Sequence, residues 1–299
     1  MRVALMHNPT AGDENHSREG LTQALQSAGH DVIWQSTKEK GWERALGSSV
    51  DLVAVAGGDG TVRKVFKRLA GMDIPLTLLP VGSANNIATA LGFEGDVTEL
   101  VRGWERGHGR PYDLGLFTAR GHEDMFVESV GGGIFAELLA RDEERDDDAG
   151  GEEGVERGLE LLRDTVASLP ALPWDVEADG DDFSAELLAV ETVNVSETGP
   201  NVPLAPEADP GDGLLDLVLV RPEERDALIS YLDDRLAARA GVPPRFTVRR
   251  CQRIVLGAPT GSLLRLDDEL LGHRDKERRI PSAALTLGPR LEVIVPGKP

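Results

Sequence analysis

The sequence predicts an α/β fold with a doubly wound sheet over residues 1–118, followed by a β-rich, mainly antiparallel domain over residues 119–299. Three observations predict it. Apolar runs and helical patterns alternate through the first third of the chain. The run "VDLVAVA" (50–56) is almost continuously apolar, as strands buried on both faces of a parallel sheet are. Beyond it, many short strand-like pieces follow one another at turn-bounded spacing.

In order, "RVALMHN" is a short strand that ends in the turn cluster Asn8-Pro9-Thr10-Ala11-Gly12. "SREGLTQALQSAG" is a helix with Ser17 as its N-cap and Gly29 as its stop. "DVIWQS" reads as a strand and "KGWERAL" as a short helix. After "VDLVAVA", "TVRKVFKRLAG" is helical, with Val62, Val65, Phe66 and Leu69 on one stripe. "PLTLLPVG" is a second buried strand and "NNIATALG" a helix. Then the texture changes. "DMFVESV" is a strand and "IFAELLARD" a helix. Arg141 to Glu160 holds ten acidic and three basic residues, a solvated helix face or a mobile loop. "PWDVEA", "FSAELLAVETVNV", "LLDLVLV", "RFTVRR", "RIVLGA" and "LLRLDDELL" read as strands, interrupted by the helix "PEERDALISYLDDRLAARAG". The tail strands within 283–299 either complete this domain or return to the first. No internal repeat is present.

Composition narrows the function. The chain has 299 residues, enough for a large core without staples. Its one cysteine, Cys251, excludes an intrachain disulfide framework, and without a signal peptide at "MRVALMHNPT" a reducing cytoplasm is expected. No apolar run approaches the roughly 20 residues of a membrane span. The expected location is the cytoplasm, with at most peripheral contact at the inner membrane face. With 32 Lys+Arg against 52 Asp+Glu, the formal net charge is −20, and phosphate repulsion argues against a nucleic-acid partner. Solubility alone explains such charge; a salt-rich cytoplasm that screens self-repulsion also fits.

Two loops attract chemistry. In a doubly wound sheet, ligands sit at the carboxyl ends of strands, where Gly57, Gly58 and Gly60 fall. Glycine lets backbone N–H groups approach an oxyanion, and the helix from Thr61 adds its positive end. Asp59 fits beside phosphate if a divalent cation bridges them, as carboxylate and phosphate oxygens together suit magnesium. A plain strand-to-helix turn is the alternative. "LLPVGSANNIATALG" repeats the plan with Gly82, Ser83 and Asn85, of which Ser83 or Asn85 also serves as an N-cap. The Walker pattern is absent. "GGGIFA" (131–136) fits the dinucleotide pattern, but late in the chain. No H-E-x-x-H, C-x-x-C or G-x-S-x-G occurs.

These motifs resemble the diacylglycerol kinase catalytic-domain family, which includes bacterial lipid kinases and sphingosine kinases. "NPTAG", "GGDGT", "PVGSANNIA", "GDGLLDLVLV" and "LDDELL" stand in the family's order over nearly the whole chain. "GGDGT" alone is shared with NAD kinases. The resemblance implies a nucleotide-binding α/β domain, a β-rich domain, and a site in the cleft between them. It implies ATP and Mg²⁺ as cofactors and a lipid substrate, met at a membrane surface, and it is compatible with a homodimer. By resemblance, Asn8, Gly57, Gly58, Asp59, Gly60, Thr61, Val62 and Arg63 belong to the ATP site, with Gly82, Ser83 and Asn85 lining it and Thr37 as another nucleotide contact. Asp59 and Asp113 would hold the catalytic magnesium. Asp212, with the backbone around Asp209 and Leu214, resembles a second, structural metal site; for Asp212 and Asp216 a turn before a strand is the alternative. Glu269 is favoured as the base for the acceptor hydroxyl, with Asp267 second. On a strand those two carboxylates, two apart, would share a face, with Asp268 pointing away. Two departures stand out: Asn86 replaces an aspartate and Asp268 a glycine. If the latter position needs a positive φ, Asp bears it at a cost. The implied reaction is ATP- and magnesium-dependent phosphorylation of diacylglycerol or a related lipid alcohol. A NAD kinase-like enzyme and a non-catalytic nucleotide- or lipid-sensing module are the alternatives.

Overall fold

A computed structural model describes residues 1–12, 16–47, 49–144, 151–271 and 282–297. The chain divides into two compact units: Met1–Leu114 with the tail from Pro289, and Gly115–Gly288.

The first unit is the α/β one. Strands β1 (Arg2–His7), β2 (Asp31–Ser36), β3 (Leu52–Gly57) and β4 (Leu76–Pro80) are parallel, in the order β4-β3-β1-β2. All six residues of β3 are buried, which explains its unbroken apolar run. Helix α1 (Arg18–Ser27) starts where the Ser17 hydroxyl accepts the Gly20 N–H at 3.2 Å, and it buries Leu21 and Leu25, one turn apart. Helix α2 (Asp59–Leu69) buries the Val62, Val65, Phe66 and Leu69 stripe. Next come α3 (Asn86–Ala90) and α4 (Val97–Gly103), the latter opened by a capping box of Asp96 and Glu99. "KGWERAL" forms a 3₁₀ helix, Trp42–Gly47, rather than an α-helix. Strand β5 (His108–Ala119) leads out of this unit.

The second unit is β-rich, as expected, with two larger sheets and one two-stranded pair among the described residues. Its elements are β6 (His122–Phe126), β7 (Ser129–Gly133), α5 (Ile134–Glu143), α6 (Gly151–Ser168), β8 (Leu172–Ala178), β9 (Asp181–Asp182), β10 (Ala185–Leu187), β11 (Ala189–Val193), β12 (Glu197–Thr198), β13 (Val202–Pro203), β14 (Leu215–Val220), α7 (Arg225–Leu236), β15 (Thr247–Cys251), β16 (Arg253–Gly257), β17 (Leu264–Leu266), β18 (Glu269–Leu271) and β19 (Ser282–Val295). One sheet runs β15-β14-β11-β7-β17-β18, all antiparallel. In it, β14 alternates between two cores. Leu215, Leu217 and Leu219 pack with Trp174, Phe117 and Phe126, while Val218 and Val220 pack with Ile134, Leu162 and Leu228 of the helices. A sheet covered on both faces gives "LLDLVLV" no polar face. The second sheet runs β10-β8-β16-β19. The tail does both things allowed by its sequence: Ser282–Thr286 pairs with β16, and Val293 pairs with Leu76 of β4. "AALTLG" and "RLEVIV" are therefore one strand. Part of the acidic run is helical, in α5 and α6, and its middle, 145–150, lies outside the described residues.

Candidate active site

The site in the first unit is built where β3 and β4 end side by side, Gly57 opposite Pro80. Both glycine-rich loops leave from there, and they touch backbone to backbone. A Cβ on Gly82 would lie 2.3 Å from the Gly58 Cα, and one on Gly57 would lie 2.5 Å from the Thr61 side chain. Side chains are excluded by contact, so main chain lines the junction. Helices α2 and α3 both start here, and their first N–H groups have no intrahelical partner by helix geometry. The positive end of the longer one, α2, favours phosphate oxygens.

Asp59 joins the two loops. Its carboxylate accepts the Asn86 N–H at 3.0 Å and the Ile87 N–H at 3.1 Å, so it caps α3 from another helix. Burial raises its pKa above the usual carboxylate range; the Ile87, Asn86 and Asn85 N–H groups and the Arg63 charge oppose that shift. Asn85 is no side-chain cap: it sits at φ +53° and closes its loop on Gly82, accepting the N–H at 3.1 Å and donating to the carbonyl at 2.7 Å. Ser83 is exposed. Thr61 and Val62 turn their side chains inward and present only backbone. Asn8 folds an Asx turn on Thr10 and ties its own N–H to the Ala56 carbonyl at 2.9 Å.

Replacing Gly82 by Ala forces the loops apart against backbone, which cannot yield cheaply. Misplacement near 1 Å costs on the order of 10²-fold in turnover, with nucleotide affinity falling alongside. Calorimetric titration and steady-state rates on Gly82→Ala would check this; native values for both would refute the contact.

Two residues assigned to the site by resemblance are hydrogen-bonded within the protein. Thr37 is buried, and both its N–H and its hydroxyl bond to the His7 carbonyl, at 2.8 and 3.3 Å, while its own carbonyl accepts the Lys64 ammonium. It braces strand ends rather than offering a side chain to a nucleotide. Asp113, given a share in the magnesium by resemblance, has both carboxylate oxygens accepting Nε and Nη2 of Arg290, at 2.5 and 2.8 Å, and Arg290 lines a cavity with Met72–Pro75, before β4 begins.

No cluster of three His, Cys, Asp or Glu side chains suited to a metal occurs among the described residues. A divalent ion at Asp59 would therefore take its remaining ligands from phosphate and water, which magnesium accepts readily. The desolvated carboxylate fits that role, as a cation would relieve the burial that raises its pKa.

In the second unit, the strand geometry expected for Asp267 and Glu269 does not hold. β17 and β18 form a hairpin with Leu266 opposite Glu269, and Asp267-Asp268 is its two-residue turn. Asp267 itself, not Asp268, takes the positive φ, +52°. Its carboxylate folds back and accepts N–H groups of Val127 at 3.0 Å, Glu128 at 2.9 Å and Ser129 at 3.3 Å. Asp267 is buried and structural, whereas Glu269 is exposed at the head of β18. Of the two acids, only Glu269 presents its side chain to solvent.

Sequence reading missed two residues beneath this turn. Arg265 donates to the Asp267 carbonyl at 2.8 Å and to Glu191 at 2.9 Å. Burial pushes the Glu191 carboxyl up to about 7, with Arg265 pulling it down. The available signal was a charge inside each of two apolar strands, "AVETV" and "LLRL". Farther along, Asp209 and Asp212 accept N–H groups of Gly211 (3.1 Å) and Leu214 (2.9 Å), and Asp212 is ion-paired with Arg250. Asp216 lies buried within β14. "GGGIFA" is not a phosphate loop. Gly131, Gly132 and Gly133 lie in a buried strand, where a Cβ would meet Glu191 at 2.4 Å, Trp174 at 2.2 Å and the Leu188 carbonyl at 2.2 Å. Packing explains those glycines.

Residues 2–117, which carry both glycine loops, match the model of the diacylglycerol kinase catalytic domain. The chain carries a diacylglycerol kinase catalytic domain over these residues. It is a kinase with an alcohol acceptor, of the lipid kinase class. Residues 158–288 of this kinase match the YegS C-terminal NAD kinase beta sandwich-like domain. A diacylglycerol kinase of Bacillus subtilis is 27% identical, covering 99% of this chain and 96% of the relative. A probable lipid kinase YegS-like protein of Pseudomonas fluorescens is 29% identical, covering 86% and 85%. A diacylglycerol kinase structure from Bacillus anthracis superposes with a TM-score of 0.71 at 20% identity, covering 98% and 96%. A yeast NADH kinase complexed with NADH shares the fold more distantly, with a TM-score of 0.56 at 8% identity, covering 100% and 84%.

Proposed function

We propose that this kinase transfers the γ-phosphoryl group of ATP, with magnesium, to the hydroxyl of diacylglycerol or a related lipid alcohol. The observation that carries the reading is the pair of glycine loops held together by Asp59. They form one backbone surface for phosphate with a single carboxylate inside it. The relatives' names support the lipid acceptor.

Phosphoryl transfer asks for positioning and charge neutralisation more than for covalent help. The N–H groups of Gly58 to Gly60, at the start of α2, would bind and orient the phosphates; those of Gly82, Asn86 and Ile87 are already taken by Asn85 and Asp59 and hold the second loop in place. Asp59 would hold the magnesium, which would supply neutralisation of the phosphate charge. Glu269 accepts the proton of the lipid hydroxyl at its carboxylate as the oxygen attacks. Asp267 fixes the turn that carries Glu269. A combined acceptor assay separates this from NAD phosphorylation: with ATP and magnesium, diacylglycerol micelles and NAD are offered together. Phosphorylated lipid with unchanged NAD supports the proposal, and NADP formation without lipid product overturns it.

The lipid has to be met at a membrane surface. Among the described residues, no helix is long and apolar enough to cross a membrane. A net charge of −20 opposes approach to an anionic leaflet, by on the order of 1 kcal/mol per charge held near the surface. Salt screens that repulsion. Activity on anionic vesicles is therefore expected to rise as salt is added from low ionic strength, and a steady fall would contradict this.

A further inference from the structure

We propose that the buried Glu191–Arg265 pair is a positioning device for the transfer, holding the turn from which Glu269 projects. The inference rests on the reading of Glu269 as the base.

Arg265 lies on β17, two residues before the Asp267 turn. One arm of its guanidinium, Nη1, donates to the Asp267 carbonyl at 2.8 Å. The other, Nη2, donates to Glu191 at 2.9 Å, the Ser129 hydroxyl at 2.9 Å and the Thr198 hydroxyl at 3.2 Å. The turn is thus tied to β11, β7 and β12 through one rigid fork. Gly131 leaves room for the Glu191 carboxylate, which a Cβ there would meet at 2.4 Å.

Stability gives no reason for these charges. The two side chains are 8% and 0% exposed, and both Arg265 Nε and Glu191 Oε1 lack a hydrogen-bond partner among the described residues. A buried pair with unsatisfied atoms is costly, and apolar residues of similar volume often serve stability as well or better. What an apolar pair cannot do is bond the Asp267 carbonyl. A planar arginine fork can, while Glu191 fixes its angle from the other side. Glu269 follows Asp267 by two residues, so a tilt of this turn moves the base, and a displacement near 1 Å costs on the order of 10²-fold in rate.

The test uses the full chain and lipid micelles. Glu191→Met/Arg265→Met keeps the volume and removes the charges. We expect its melting temperature and nucleotide Kd to stay native while kcat falls roughly 10–100-fold, a displacement-sized loss. Glu191→Gln keeps an acceptor for Arg265 and should hold kcat near native. Arg265→Lys keeps a charge but cannot bond both partners at once; it should lose kcat in the same way, and it covers the case in which the double variant melts early. Placed on Glu269→Gln, the Met pair should cost nothing further, because it acts through that side chain. Native kcat in a natively melting Met pair, or a loss that adds in full to Glu269→Gln, overturns the role of the pair. A fully active Glu269→Gln instead overturns the reading of the base.

Discussion

Glu269→Gln is expected to lower turnover about 10²–10⁴-fold, the usual contribution of a positioned general base, and to leave nucleotide binding unchanged. The substitution keeps the shape and removes the basicity. Glu269 is exposed at the head of β18, so the change disturbs no packing and the melting temperature should not move. The glycine loops proposed to hold phosphate follow β3 and β4, in the other unit, which is why affinity should survive. Asp267→Asn should behave differently. Its carboxylate accepts N–H groups from Val127, Glu128 and Ser129 at Oδ1, and Val127 also reaches Oδ2; an amide keeps one acceptor oxygen but loses the charge that strengthens these bonds and turns its NH₂ toward the Val127 donor. Lost stability is expected together with lost turnover.

Asp59→Ala should remove most activity by weakening magnesium-dependent nucleotide binding itself. Two effects coincide. The carboxylate proposed to hold the ion is gone, and the N–H groups of Asn86 and Ile87 lose their acceptor. Loss of such a cap costs about 0.5–2 kcal/mol, here at the start of a five-residue helix. The second loop would loosen against the first. Calorimetry with and without magnesium separates the effects: the metal-dependent part should vanish, and the remainder should weaken. The pH dependence follows in sign. Burial raises the Asp59 pKa, so lowering pH neutralises this group earlier than an exposed aspartate, and magnesium-dependent binding should be lost first on the acid side. Normal MgATP binding by Asp59→Ala would refute its role in joining the loops.

Much of the first unit was legible because its signals are local. β3 is buried on both faces and reads as unbroken apolar sequence; Ser17 and Gly29 bound α1; the loops after β3 and β4 announce themselves by glycine at strand ends. The β-rich unit was legible as strands, but their pairing was not. β7 joins β11 and β17, partners far along the chain, and nothing in "GGGIFA" says that its glycines yield to Glu191 and Trp174 rather than to phosphate. The same distance hid the ion pairs. Asp113 and Arg290 are 177 residues apart, and Glu191 and Arg265 are 74 apart. "LDDELL" misled for a different reason. It was read as a strand by its flanks, yet Asp267-Asp268 suits a two-residue hairpin turn, where aspartate tolerates a positive φ. That turn buries one acid and exposes the other, which strand alternation could not have separated.

The central claim is phosphoryl transfer from ATP to a lipid hydroxyl, and it is tested most directly by following the phosphate. The enzyme is incubated with γ-labelled ATP, magnesium and diacylglycerol in detergent micelles, and the label is counted in the extracted lipid. The account predicts labelled phosphatidic acid that forms with the wild-type chain, depends on magnesium, and drops by two or more orders of magnitude with Glu269→Gln. Label that never enters the lipid phase, across diacylglycerol and sphingoid acceptors alike, would contradict it.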